Sequence, residues 1–143
     1  MPPIDPIRHT LAHLLAHAVQ DSYPNASFAI GPSIDNGFYY DLGLSRPLTE
    51  ADLKPLEKRM KQLIRQRLPM EEIPADSPEA TAFVTKQPFK QELLKEIQDK
   101  GQPATFYRVG KFIDLCRGGH VKNTSEIDPD AFKLSHVAGA YWR

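Results

Sequence analysis

One cysteine, Cys116, occurs in the 143 residues. With no second thiol there is no internal disulfide framework, and a reducing cytoplasm is the expected setting. Neither sign of charge is in excess, since 18 Lys and Arg stand against 18 Asp and Glu. Binding to a phosphate backbone is driven largely by counterion release through basic side chains, so a neutral chain has no general attraction for nucleic acid. If it acts on RNA, it acts on one exposed end while a neighbouring domain holds the rest. No apolar run approaches the roughly 18–20 residues of a membrane span, so no membrane partner is expected. The start, Met1-Pro2-Pro3-Ile4-Asp5-Pro6, lacks the basic and apolar regions of a secretion signal. Repeats and low-complexity tracts are absent. So is a glycine-rich phosphate loop, because Gly31-Pro32-Ser33 is too short and reads better as a turn.

The chain is long enough for one domain with a real core, read here as spanning 1–143. Its 41% hydrophobic and 25% charged content is that of an ordinary globular protein. A helix is expected over about Pro6 to Asp21, with Asp5 as cap, Pro6 in the first turn and an apolar stripe of Ile7, Leu11, Leu14, Leu15 and Ala18. Pro24-Asn25 ends it. Ser27 to Ile30 and Gly37 to Asp41 read as strands around the turn signal Asn36-Gly37. A second helix is expected over about Thr49 to Arg67, with Thr49 and Asp52 as a weak capping box. Pro55 requires either a start near Leu53 or a bend. A short strand at Pro69 to Ile73 precedes a helix opened by Ser77-Pro78-Glu79 and a fourth helix, Phe89 to Lys100, closed by Gly101. Thr105 to Val109 and Lys111 to Leu115 form a hairpin around Gly110, and Phe132 to Val137 and Ala140 to Trp142 read as strands. Helices mixed with antiparallel strands define an α+β domain, an antiparallel sheet packed with helices.

Two clusters carry chemistry. His9, His13 and His17 fall at i, i+4 and i+8 of the first helix, roughly on one face. In Asp114-Leu115-Cys116-Arg117-Gly118-Gly119-His120, a strand points Asp114 and Cys116 to the same side. Gly118-Gly119 lets the chain turn so that His120 folds back toward Cys116. Each cluster alone has a plain structural reading: histidines hydrogen-bonded at a core edge, or a buried, inert thiol. Together, His-x3-His and a distant Cys-x3-His place four metal-capable side chains on two elements able to face one another. The helix lacks the glutamate of the zinc-protease motif. A cysteine-protease arrangement is compatible with the composition but has no specific support in the spacing.

Five ordered segments resemble the editing domain of threonyl-tRNA synthetases. They are His9-Thr10-Leu11-Ala12-His13-Leu14-Leu15-Ala16-His17-Ala18, Ala29-Ile30-Gly31-Pro32-Ser33-Ile34-Asp35-Asn36-Gly37-Phe38-Tyr39-Tyr40-Asp41, Leu56-Glu57-Lys58-Arg59-Met60, Asp114 to Val121, and Ala138-Gly139-Ala140-Tyr141-Trp142-Arg143. The related alanyl-tRNA editing proteins share the His-x3-His and Cys-x3-His skeleton but not the Asp-Asn-Gly-Phe-Tyr-Tyr string. The family usually carries a ubiquitin-like domain ahead of this one and a class II aminoacylation core after it. Neither is expected within these 143 residues, so the chain should not charge tRNA by itself. Gly119 stands where relatives often have proline, and His136 replaces a different polar residue.

The resemblance implies hydrolysis of serine wrongly attached to tRNA(Thr). The partners are then the seryl acceptor end of that tRNA and the rest of a synthetase. One methyl separates threonine from serine, and one methylene discriminates by only about 10- to 200-fold, so a second, smaller site is needed. By resemblance His9 and Lys90 place and activate water. His13, Cys116 and His120 line the pocket, Asp114 accepts from the substrate, and Tyr40 and Arg117 are substrate contacts. Taken alone, Lys90 and Asp114 would be read as solvated charges. No cofactor is favoured. The alternative set for zinc is His9, His13, Cys116 and His120, but a cationic Lys90 opposes a dication. A non-catalytic module for the tRNA acceptor end and a structural zinc domain are the competing readings.

Overall fold

The computed structural model describes residues 4–29, 33–34, 37–44, 48–116 and 119–135. Helix α1 spans Ile4–Ser22, so Asp5 and Pro6 fall inside its first turn. Its burial exceeds the expected stripe: Leu11, Ala12, Leu14, Ala16, Ala18 and Val19 are all buried, as are Thr10, His13 and His17. A helix covered on most sides is a central element. Helix α2, Glu50–Arg65, packs against it with Leu56, Met60, Leu63 and Ile64. Each such side chain contributes about 1.5–3 kcal/mol through burial.

Helix α2 keeps Pro55 inside and starts well before Leu53. Its N-terminus is held by Asp52, whose carboxylate accepts from the Thr49 backbone N–H at 2.8 Å and from the Tyr23 hydroxyl at 3.1 Å. That anchoring offsets the backbone hydrogen bond that Pro55 cannot make. Pro55 is exposed, so Pro55→Ala is expected to stabilise the chain by about 1 kcal/mol or more, read as a higher melting temperature.

The short strands differ from the sequence expectation. β1 (Ser27–Phe28) does not pair with the Gly37 segment; its partner is β4 (Leu42–Gly43). β2 (Ser33–Ile34) and β3 (Gly37–Phe38) form the inner hairpin, with Ile34 opposite Gly37. Two-residue strands have no periodicity to reveal which segments pair.

β5 (Glu71–Ile73), β6 (Phe106–Val109) and β7 (Phe112–Leu115) make an antiparallel sheet in that order. Gly110, at φ +56, opens the two-residue turn between β6 and β7, a conformation that favours glycine. Helix α3 (Pro78–Thr85) begins as expected, with Ser77 Oγ accepting from Ala80 N at 3.3 Å. In α4 (Pro88–Asp99) the proline opens the helix, and Gly101 follows it at φ +67. A second apolar cluster joins Ile73, Phe106 and Leu115 to Phe83 and Val84 of α3 and Leu93, Leu94 and Ile97 of α4. The strand expected from Phe132 is not formed over 132–135, and 136–143, including His136, lie outside the described residues. The α+β class holds.

Candidate active site

The site forms where α1 lies along β7. Alternation along the strand turns Phe112 and Asp114 toward α1 while Leu115 enters the second cluster. Asp114, 1% exposed, is the hub. Its Oδ1 meets Lys90 Nζ at 2.8 Å and accepts from Leu115 N at 2.9 Å. Its Oδ2 accepts from the Tyr40 hydroxyl at 2.6 Å and meets His13 Nδ1 at 3.1 Å. Four donors thus fill one buried carboxylate, as a buried charge requires. Burial alone would raise its pKa. The Lys90 ammonium and the His13 contact outweigh that and hold the carboxyl well below the usual carboxylate range. Burial, and then the charge of Asp114, pushes the Tyr40 phenol well above its ordinary value, so it remains a donor.

A carboxylate can only accept, so Nδ1 of His13 carries a proton. Its Nε2 faces outward, 3.2 Å from His9 Nε2. The ring of His120 stacks on His9 with centroids 4.2 Å apart, and meets His13 edge-on at 4.6 Å. Cys116 Sγ lies 3.5 Å from His120 Nε2. Burial, and then the neighbouring His13 and His9, pushes the His120 imidazole down to about 2, so it is neutral near pH 7. Its Nδ1 is buried and has no hydrogen-bond partner among the described residues.

Three residues that the sequence did not single out hold this arrangement. Thr10 donates to Pro6 O at 2.7 Å and accepts from Val121 N at 3.1 Å, which pins the chain just after His120 to α1. Thr105 holds Cys116 from both sides: its carbonyl accepts from Cys116 N at 3.1 Å and its hydroxyl donates to Cys116 O. Tyr107 packs on His120 with centroids 4.6 Å apart. Only alternation along β6 hinted at Tyr107. Gly119 adopts φ +81, which proline cannot reach, so this loop geometry is closed to proline.

His9, His13, Lys90, Asp114, Cys116 and His120 therefore converge from α1, α4, β7 and the loop after it. Lys90 and Asp114 are not solvated charges; they are buried and paired, and Lys90 is 2% exposed. Tyr40, 8% exposed, lies behind the carboxylate. Arg117 lies outside the described residues. The ligand atoms of His9, His13, Cys116 and His120 all fall within 4.8 Å of one another. Around a tetrahedral zinc with bonds of about 2.0–2.3 Å, ligand atoms lie about 3.3–3.8 Å apart. The 3.2 and 3.5 Å separations are close to that range. The His13–Asp114 pair also matches the carboxylate behind many metal-bound histidines. In donor chemistry these four side chains suit the ion, within a set that spans up to 4.8 Å. Because the Lys90 charge is paired with Asp114, it opposes a dication less than the sequence implies.

These features define an α+β domain with a His-x3-His helix set against a Cys-x3-His loop. Residues 104–139, which carry β6, β7 and that loop, match the family described as "Threonyl and Alanyl tRNA synthetase second additional domain". Over nearly its whole length the chain is similar to threonine–tRNA ligases. It is 46% identical over 140 residues to that of Treponema pallidum (strain Nichols), covering 98% of this chain and 24% of the relative. It is 46% identical over 139 residues to that of Gloeobacter violaceus, covering 96% and 22%, and 45% identical over 142 residues to that of Azoarcus sp., covering 98% and 22%. The chain spans about a quarter of the length of these relatives. The resemblance read from the sequence is borne out by these matches. Among the described residues, no helix is long and apolar enough to cross a membrane.

Proposed function

We propose that this chain is the editing site of a threonyl-tRNA synthetase and hydrolyses serine from mischarged tRNA(Thr). The observation that carries the reading is the convergence of His9, His13, Cys116 and His120 within 4.8 Å, beside a buried nitrogen of His120 that has no hydrogen-bond partner among the described residues. The ester carbonyl of the seryl group lies among these rings. His9, partly exposed, holds a water and takes its proton as the oxygen attacks the carbonyl carbon. His13, backed by Asp114, orients His9 through their shared Nε2 contact and favours the positive charge that develops there. Lys90 acts through Asp114, holding charged and in place the carboxylate that backs His13. Collapse of the tetrahedral intermediate breaks the bond to the ribose oxygen, which takes up a proton; free serine and uncharged tRNA leave. Cys116 and His120 form the wall that leaves no room for threonine's methyl. Tyr40 acts through Asp114, and Arg117 and the remainder of the synthetase hold the acceptor end.

The reaction needs no metal in this reading. A second reading places zinc on the same four side chains, favoured by their spacing and by the His13–Asp114 pair. Zinc there would supply Lewis acidity toward the ester carbonyl. Deacylation of seryl- and threonyl-tRNA(Thr), with and without a strong chelator, tests both. The expected result is serine-selective hydrolysis that survives chelation, with no zinc in the purified chain by elemental analysis. Hydrolysis abolished by chelator and restored by zinc transfers the site to the second reading. Acceptor-end binding without turnover overturns both in favour of a binding module.

A further inference from the structure

The third histidine of α1 is not one of the four clustered donors, yet it is buried and fully bonded. His17 Nδ1 meets Asp21 Oδ2 at 3.1 Å, and that oxygen also accepts from Arg59 Nε at 2.8 Å. Because the carboxylate can only accept, His17 Nδ1 carries the proton and Nε2 presents its single lone pair. That lone pair accepts from the backbone N–H of Lys111 at 3.2 Å. Lys111 is the second residue of the β6–β7 turn, 94 positions downstream. The fit is close, since a Cβ on Gly110 would lie 2.8 Å from His17 Nε2.

We infer that His17 is a positioning residue that sets the register of α1 along β7, and with it the His13–Asp114 and His9–His120 contacts of the site. Helix and strand run antiparallel. His17 meets Lys111 at the turn, His13 meets Asp114, and His9 meets the loop beyond Cys116. Phe112 sits between the first two contacts, 6.3 Å from the rings of both His17 and His13. Apolar packing tolerates sliding, but hydrogen bonds do not. A shift of α1 by one residue's rise, about 1.5 Å, breaks bonds of this length. The Arg59–Asp21–His17–Lys111 chain, joined by Gln20 Nε2 donating to Lys111 O at 3.4 Å, fixes this register at the far end of the helix from the site. Arg59 extends it to α2. The inference rests on the proposed editing reaction for its activity readout, but not for its structural one.

Glutamine and asparagine separate the two bonds of His17. The glutamine amide reaches the Nε2 position and can accept from Lys111; the asparagine amide reaches only the Nδ1 position. In the 143-residue chain, His17→Asn is expected to lower the single-turnover rate on seryl-tRNA(Thr) about 10- to 100-fold without weakening tRNA binding, the effect of misplacement by about 1 Å. His17→Gln is expected to keep most of the rate. By proton NMR, the downfield Nδ1–H of His13 should be lost or displaced in the asparagine variant and kept in the glutamine variant. Equal losses in both variants that track the folded fraction, with the His13 signal unmoved, overturn the inference. So do parental rates and signals in both. If the parent chain does not cleave seryl-tRNA, the editing proposal fails, and the NMR comparison still decides the role of His17.

Discussion

Asp114→Asn is expected to cost about 3–5 kcal/mol of stability, because it removes one partner of a buried ion pair and leaves the other uncompensated. The stranded group is the Lys90 ammonium, whose nearest carboxylate oxygen lies at 2.8 Å. In a chain of this size that is a fall of roughly 10–15 °C in melting temperature. Removing both charges together, as in Lys90→Met with Asp114→Leu, should cost much less than the sum of the single changes, since no unpaired charge remains. Seryl-tRNA hydrolysis should fall by at least about 10²-fold in Asp114→Asn even at temperatures where the variant is folded, because His13 loses the acceptor that fixes its tautomer. An asparagine variant that melts with the parent would show that the pair contributes nothing to the fold.

The same contacts set the acid limit. Asp114 binds its proton less readily folded than unfolded, so its contribution is present above the ordinary carboxylate range and is lost as pH falls below it. His120, pushed down to about 2 from 6.5, behaves in the same sense. Its contribution is complete above about pH 6.5 and declines on acidification. Stability should therefore fall in two stages, first below about pH 6.5 and again below about pH 4.

His9→Ala carries the largest expected loss of activity with the smallest change in fold. His9 is only partly buried, so its removal opens no deep cavity, whereas a general base contributes about 10²–10⁴-fold. Hydrolysis of seryl-tRNA(Thr) should drop by that factor while the melting temperature stays close to the parent's. His9→Gln preserves hydrogen bonding but cannot take a proton, and should be nearly as slow. Robust turnover by either variant would remove His9 from the proton transfer and leave it a wall of the pocket.

The sequence revealed what is local. Helical spacing and Pro24-Asn25 framed α1, Ser77-Pro78 opened α3, and Gly110 marked the β6–β7 turn. The joint His-x3-His and Cys-x3-His pattern located the site itself. What stayed hidden depends on tertiary partners. A lysine in Phe89-Lys90-Gln91 reads as solvated until Asp114 faces it across 24 residues. The resemblance implies a substrate contact for Tyr40, and only the fold shows its hydroxyl on Asp114. The β1–β4 pairing is invisible because two residues cannot express a period. Thr10 resembles any helical threonine until Val121 N is found on its hydroxyl.

Helix α1 both supplies much of the main core and carries His9 and His13, while their counterparts arrive from α4 and from the loop after β7. A chain that has lost its central packing therefore keeps no partly assembled hydrolytic centre. Under the proposed role, a damaged or half-made copy is silent; it does not turn on correctly charged threonyl-tRNA. Quality control of this kind fails toward inaction, which spares the cell's supply of charged tRNA.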